Sequence, residues 1–189
     1  MQEFKREKRE LVVKGKIFDY YKDYVRTPSG NLTEWDFIHH VGAAAVVAED
    51  KEGKLLLVRQ YRSSMDGYIL EIPAGRRDEG EDLKTCALRE LEEETGYKAG
   101  YVEHLLDIYT TVAFCDEKIG IYYTKELIPS RQDLDENEYI SVERYTMEEV
   151  EKMIFDGTIE DSKTVCALLA YRTKKYPQDH CCHSARTNK

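Results

Sequence analysis

The sequence predicts an α/β fold, an α/β/α sandwich on a mixed sheet, preceded by a small antiparallel β appendage. Three observations predict it. Gly42 to Glu49 (GAAAVVAE) is a nearly continuous apolar run of strand length, the pattern of a strand covered on both faces. Leu83, Ala87 and Leu91 recur every four residues ahead of Gly96, as in an amphipathic helix closed by a glycine. Elsewhere, short runs rich in β-branched and aromatic residues alternate with helical patterns, which suggests helices on each side of a sheet.

In chain order, residues 1–9 read as a charged, mobile lead-in. Leu11 to Val25 (LVVKGKIFDYYKDYV) has the composition of one or two strands, Pro28-Ser29-Gly30-Asn31 of a turn, and Leu32 to His40 of a further strand. Residues 1–40 thus form the appendage. Two or three strands need another surface to cover them, so it is expected to pack on the main domain or on a second subunit. The main domain spans 41–176. In it Asp50-Lys51-Glu52-Gly53 is a turn, and Lys54 to Arg62, Tyr68 to Pro73, Tyr101 to Tyr109, Ile119 to Leu127 and Tyr139 to Tyr145 are strands. Thr146 with Glu149 makes a capping box for a helix striped by Met147, Val150 and Ile154. Asp161 to Lys175 is the last helix, and residues 177–189 are a polar tail.

The chain has 189 residues, 41% hydrophobic and 34% charged, enough for one domain with a buried core. A formal net charge of −9 argues against a nucleic-acid-binding surface. It does not argue against a phosphate ligand, because a bound cation reverses the local sign. Five cysteines, an odd number without framework spacing, are no disulfide scaffold; Cys86 and Cys166 are expected as small core residues of helices. No apolar run reaches membrane length, and the charged start is unlike a signal peptide, so the expected compartment is the cytoplasm, where Asn31-Leu32-Thr33 would go unglycosylated. His39 and His40 read as structural. In the tail, His180-Cys181-Cys182-His183 stand too close together to close easily around one metal ion.

The most informative stretch is Gly75 to Tyr97 (GRRDEGEDLKTCALRELEEETGY). On its helix Glu90, Glu93 and Glu94 stand at i, i+3 and i+4, so three carboxylates share one face near the C-terminal end. Like charges repel there, and negative charge opposes the macrodipole. A hard divalent cation is one compensation, and Arg89 and Lys98 are another. Read alone, the run is better taken as a solvated acidic face, which is what most Glu-rich runs are. The whole stretch, however, matches GX5EX7REUXEEXGU (U, a bulky apolar or aromatic residue) at Gly75, Glu81, Arg89, Glu90, Leu91, Glu93, Glu94, Gly96 and Tyr97. This is the Nudix box, and the chain resembles a Nudix hydrolase, whose domains are α/β/α sandwiches.

The resemblance implies Mg²⁺-dependent hydrolysis of a nucleoside diphosphate linked to another moiety, with Mn²⁺ as a possible substitute. Carried over by motif position, Glu90, Glu93, Glu94 and the carbonyl of Ala74 are the metal ligands, Arg89 holds the glutamates, and Glu81 steadies the start of the helix. Val58-Arg59-Gln60-Tyr61-Arg62, Glu71-Ile72-Pro73-Ala74-Gly75 and the appendage, over roughly residues 10–175, are similar to the branch cleaving ADP-ribose and nucleoside diphosphate sugars. Within it Arg62, with Arg59 beside it, is a diphosphate contact or else a surface arginine, and Glu71 either binds substrate or braces the loop. Trp35, the single tryptophan, either covers the appendage or stacks on adenine across a homodimer interface. The acidic loop before the strand at Tyr139 is either simply solvated or, as the resemblance implies, supplies a glutamate that orients the attacking water or reaches a metal, with Glu138 the best match and Glu136 in reserve.

One departure bears on substrate. A Ser-Pro-Gly-like turn downstream of the box is typical of ADP-ribose pyrophosphatases, but here Thr111-Val112-Ala113 stands instead. ADP-ribose, giving AMP and ribose 5-phosphate, remains the first expectation; a GDP-mannose or UDP-glucose type of sugar nucleotide is the second. A non-catalytic Nudix-like sensor would be expected to lack box glutamates or to carry a DNA-binding module, and this chain keeps Glu90, Glu93 and Glu94.

Overall fold

The computed structural model describes residues 3–175; the predicted tail, with His180 to His183, lies outside them. Strands β1 (Lys5–Lys14), β2 (Asp19–Arg26) and β3 (Leu32–His39) form a separate antiparallel sheet in that order. β1 corrects the expectation of a mobile lead-in. Its charged residues pair along β2 from Lys5 opposite Arg26 to Lys14 opposite Asp19. Arg9 donates from Nε and Nη2 to the two oxygens of Asp23, both at 2.7 Å, and its guanidinium lies 3.4 Å from the Phe37 ring centre. Cross-strand ion pairs and a cation–π contact thus hold a strand with almost no buried apolar face.

The main domain continues with β4 (Ala43–Glu49), β5 (Leu55–Arg62), β6 (Gly67–Glu71), β7 (Ala74–Arg76), α1 (Leu83–Thr95), β8 (Tyr97–Ala99) and β9 (Glu103–Tyr109). After these come β10 (Lys118–Thr124), β11 (Leu127–Pro129), β12 (Ile140–Tyr145), α2 (Met147–Phe155) and α3 (Ser162–Lys175). The large sheet has the order β12-β5-β4-β10-β9, with β6 on β5 and β7 on β4. β4 and β10 run parallel and the other pairs antiparallel, so the sheet is mixed as expected. β8 and β11 pair separately.

All seven residues of β4 are buried. Their alternation divides them between two cores. Ala44, Val46 and Ala48 pack with Cys86, Ala87 and Leu91 of α1. Ala43, Ala45 and Val47 face the other way, in the core that holds Val150 of α2 and Ala167, Leu168 and Tyr171 of α3. That is the sandwich. Asp82 caps α1 by accepting from the amides of Lys84 and Thr85, Gly96 ends it at φ 71°, and Thr146 with Glu149 forms the anticipated capping box of α2. Cys86 is buried as expected, but Cys166 is exposed: the buried positions of α3 are Thr164, Ala167, Leu168 and Tyr171, which turn residue 166 outward.

Two histidines join the sheets. His39 bonds Asp116 at 2.8 Å, His40 lies 3.2 Å from Glu117, and the backbone of Ile38 pairs with Phe114 and Asp116. Arg76 also donates to the Lys16 carbonyl at 2.9 Å, which brings the β1–β2 turn to the rim of the cleft described next.

Candidate active site

α1 and β7 carry the centre of the site. The helix runs beneath β7, and Gly75 is where the two come closest: a Cβ there would fall 2.1–2.2 Å from the carboxyl atoms of Glu90. The box glycine is therefore a seat for a carboxylate, which any side chain would fill. Glu94, 3% exposed, accepts from the amide of Ala74 at 2.9 Å. Arg89 donates to Glu90 at 2.7 Å, Glu93 at 2.8 Å, Glu81 at 2.9 and 3.0 Å, and the Arg76 carbonyl at 3.1 Å. Glu81 also accepts from the amide of Asp78, closing the loop ahead of α1.

Burial pushes the Glu90 carboxyl up to about 7, against the pull of Arg89 and with the charges of Glu93 and Glu138 adding to it. Burial likewise raises Glu94 to about 8; the Ala74 amide and Arg62 oppose this, while Glu90 and Glu138 reinforce it. The site is short of positive charge. Among the described residues no three His, Cys, Asp or Glu side chains form a ready-made metal cage, since Arg89 and the Ala74 amide hold the box glutamates. The oxygen donors, the glycine seat and the charge deficit nevertheless fit a hard divalent cation, which takes few protein ligands and keeps waters.

A cleft of about 670 Å³ opens over these groups, lined by Ala74, Glu90, Glu93 and Glu94 and by Arg62 and Glu138. Arg62, at the end of β5, is held by Glu71, which accepts at 2.6 Å from Nε and 3.0 Å from Nη2. Glu71 is 1% exposed. Burial pushes its carboxyl up, but Arg62 and Lys163 outweigh burial and leave it below the ordinary value. Of the two sequence readings of Glu71, this geometry is that of a brace. Glu138 accepts from Gln60 at 3.0 Å and lines both the main cleft and a neighbouring hollow of about 460 Å³ beside Tyr61 and Tyr68.

Besides Glu71, which lines only a separate hollow of about 300 Å³, three candidates are not brought to the cleft. Glu136 is exposed on the acidic loop. Arg59 is paired with Glu143 on β12, at 2.5 and 3.2 Å. Trp35 lies on β3, 49% exposed, with the tilted Phe4 ring 5.8 Å away.

Sequence reasoning missed other groups. Gln60, whose Oε1 is buried without a partner, carried no signal beyond its place between Arg59 and Arg62. Asp161 and Lys163 line a recess of about 440 Å³ that shares Arg62, Ala74 and Gly75 with the cleft and also includes Thr110 and Thr111. Val112, the departure from the expected turn, is 78% exposed.

The chain is 36% identical over 169 residues to an ADP-ribose pyrophosphatase of Bacillus subtilis (strain 168), an alignment covering 88% of this chain and 91% of that protein. It is 39% identical over 163 residues to a methanol dehydrogenase activator of Bacillus methanolicus, covering 85% and 88% respectively. A crystal structure of an ADP compounds hydrolase superposes with a TM-score of 0.83 at 22% identity, covering 95% of this chain and 97% of that one, a likeness of fold. The NUDIX domain matches residues 38–168, from the end of β3 into α3, and the chain belongs to that family.

Proposed function

We propose that this protein is a Mg²⁺-dependent pyrophosphohydrolase that cleaves ADP-ribose to AMP and ribose 5-phosphate. The observation that carries the reading is the pair of buried, charge-starved carboxylates, Glu90 and Glu94, in a cleft that Arg62 shares. Relatives that bear the name ADP-ribose pyrophosphatase over most of their length support the substrate. Divalent metal ions are general to Nudix hydrolases; magnesium is our specific choice, with Mn²⁺ as a substitute.

In this reading Glu90, Glu93, Glu94 and the Ala74 carbonyl hold the ion, and Arg89 keeps the carboxylates in register. When bound, the ion supplies charge to the phosphate oxygens and acidity to water. Arg62, aimed by Glu71, holds non-bridging oxygens of the diphosphate. Glu138 takes the proton from the attacking water. A new P–O bond forms at one phosphorus as the bridging P–O bond breaks, giving the two monophosphates. Arg59, tied to Glu143, is left to brace β5 against β12.

Residues 1–40 form the dimerisation unit in this proposal, 41–176 the hydrolase domain and 177–189 a tail. Trp35 is offered to the adenine of a site shared with a second copy, since an exposed flat ring suits a nucleobase. No described helix is long and apolar enough to cross a membrane, and we propose the cytoplasm as the compartment.

Val112 in place of the expected proline favours a second reading, a GDP-mannose or UDP-glucose type of substrate. A panel of ADP-ribose, GDP-mannose, UDP-glucose and diadenosine compounds with Mg²⁺, products identified by mass, decides between them. AMP and ribose 5-phosphate formed fastest from ADP-ribose supports the first. No hydrolysis of any member would overturn both and leave a regulator, the class suggested by the activator among the relatives.

A further inference from the structure

Lys163 stands in the first turn of α3, far in sequence from the box, yet it reaches the same buried carboxylate as Arg62. Its ammonium bonds Oε2 of Glu71 and lies 3.0 Å from Oδ2 of Asp161, and its side chain is only 12% exposed. The turn that carries it is fixed to the short link between β6 and β7. Thr164, fully buried, accepts from the amide of Ile72 at 3.0 Å and donates its hydroxyl to Asp161 at 2.6 Å. Two cations, Arg62 and Lys163, therefore share Glu71 from opposite elements, and Asp161 balances the second.

That sharing has a consequence for Arg62. Nε and Nη2 are engaged by Glu71, while Nη1 has no hydrogen-bond partner among the described residues. The guanidinium faces the main cleft, the 440 Å³ recess and a smaller hollow of about 300 Å³; Lys163 lines the last two but not the cleft. Lys163 thus stands behind the arginine. Without its ammonium, Glu71 and Asp161 would draw on Arg62 alone, and a buried carboxylate left short of charge pulls its remaining partner toward itself.

We propose that Lys163 is a positioning residue: by holding Glu71, it frees Arg62 to meet the diphosphate. The inference rests on the reading of Arg62 as a diphosphate contact. It makes α3 part of the substrate-binding machinery, with its first turn, through Thr164 and Ile72, fixing the link that leads to Ala74.

The test is a double-mutant cycle read by binding as well as turnover. Affinity for the non-hydrolysable α,β-methylene analogue of ADP-ribose, with Mg²⁺, is measured by calorimetry for wild type, Lys163→Met, Arg62→Ala and the double variant. Lys163→Met is expected to weaken binding and raise KM about tenfold, with kcat within about threefold, the mark of lost uniform binding. Lys163→Arg keeps the charge and is expected to restore affinity to within about threefold. In the Arg62→Ala background, Lys163→Met is expected to cost less than about twofold, because a residue that acts through another adds nothing once that other is gone.

Equal losses in both backgrounds, or unchanged affinity for Lys163→Met alone, overturn the inference. If Lys163→Met melts below the assay temperature, Lys163→Gln, which keeps a donor for Glu71, is read in its place against the same thresholds. The two failures are separable. A wild type that neither binds the analogue nor cleaves ADP-ribose sinks the functional reading. An active wild type weakened by Arg62→Ala but not by Lys163→Met sinks only the role of Lys163.

Discussion

Gly75→Ala separates the architecture of the site from the stability of the fold. The alanine Cβ would lie 2.1–2.2 Å from the Cδ and both oxygens of Glu90, whereas ordinary contact begins near 3.4 Å. The carboxylate must therefore retreat by about 1.2 Å. It sits at the far end of a flexible side chain, so the retreat costs the fold little. The glycine does not need a left-handed backbone, and replacing it with alanine stiffens the unfolded chain by about 0.4–1 kcal/mol, an offsetting gain. The melting temperature should stay within a few degrees of wild type. Catalysis has no such tolerance, because a misplacement of about 1 Å in a positioned group costs on the order of 10²-fold in rate. The assay is Mg²⁺-dependent release of AMP from ADP-ribose, run beside a thermal melt. Wild-type turnover from a folded Gly75→Ala protein would refute the claim that the seat of Glu90 is what the box glycine provides. A collapse of the melting temperature would contradict it too.

Two further outcomes follow from the same geometry. Glu138→Gln keeps the bond to Gln60 within reach but removes the proposed base; turnover of ADP-ribose should fall at least about tenfold with KM little changed, and unchanged turnover would remove Glu138 from the mechanism. In the appendage, hydrogen bonds from Arg9 hold the Asp23 carboxyl below its ordinary value. A depressed carboxylate stabilises the fold fully above its unfolded pKa, about 3.9, and loses that contribution as pH falls through the lower folded value. Trp35 stands directly opposite Asp23 in the β2–β3 ladder and is the single tryptophan, so its fluorescence reports this sheet. It should hold steady from pH 7 to about 4 and change below that. Asp23→Asn should weaken the sheet at pH 7 and abolish the acid step, and an unaltered acid step in that variant would count against the pairing as its cause.

How far the sequence disclosed this protein depended on whether the forces involved were local. The capping box at Thr146, the αL stop at Gly96 and the two-faced burial of Ala43 to Glu49 are local or periodic, and each was legible. The charged strand β1 was not, because its partners lie across a ladder, and a run such as KREKRE reads as solvated until Asp23 and Phe37 are placed against Arg9. The three-residue strands β7, β8 and β11 were too short to show a period. Within the site, the box glutamates and Arg89 were singled out by the resemblance to the Nudix box, since their helical spacing alone fits a solvated face. The brace at Glu71 was left open between two roles, and Lys163 was invisible, being 92 positions away from its carboxylate partner. Cys166 was misplaced for a simpler reason: a cysteine in a helix has no sign of its own for which face it takes.

Buried, crowded carboxylates on α1 are proposed to make this cleft a metal-dependent diphosphate hydrolase. The most direct measurement compares wild type with the Glu93→Gln, Glu94→Gln double variant, following AMP and ribose 5-phosphate from ADP-ribose with Mg²⁺ and with chelator. Chelator is expected to abolish wild-type product formation, and the folded double variant is expected to be slowed by on the order of 10²-fold or more. Full-speed hydrolysis by the double variant, or by wild type stripped of divalent ions, would contradict it.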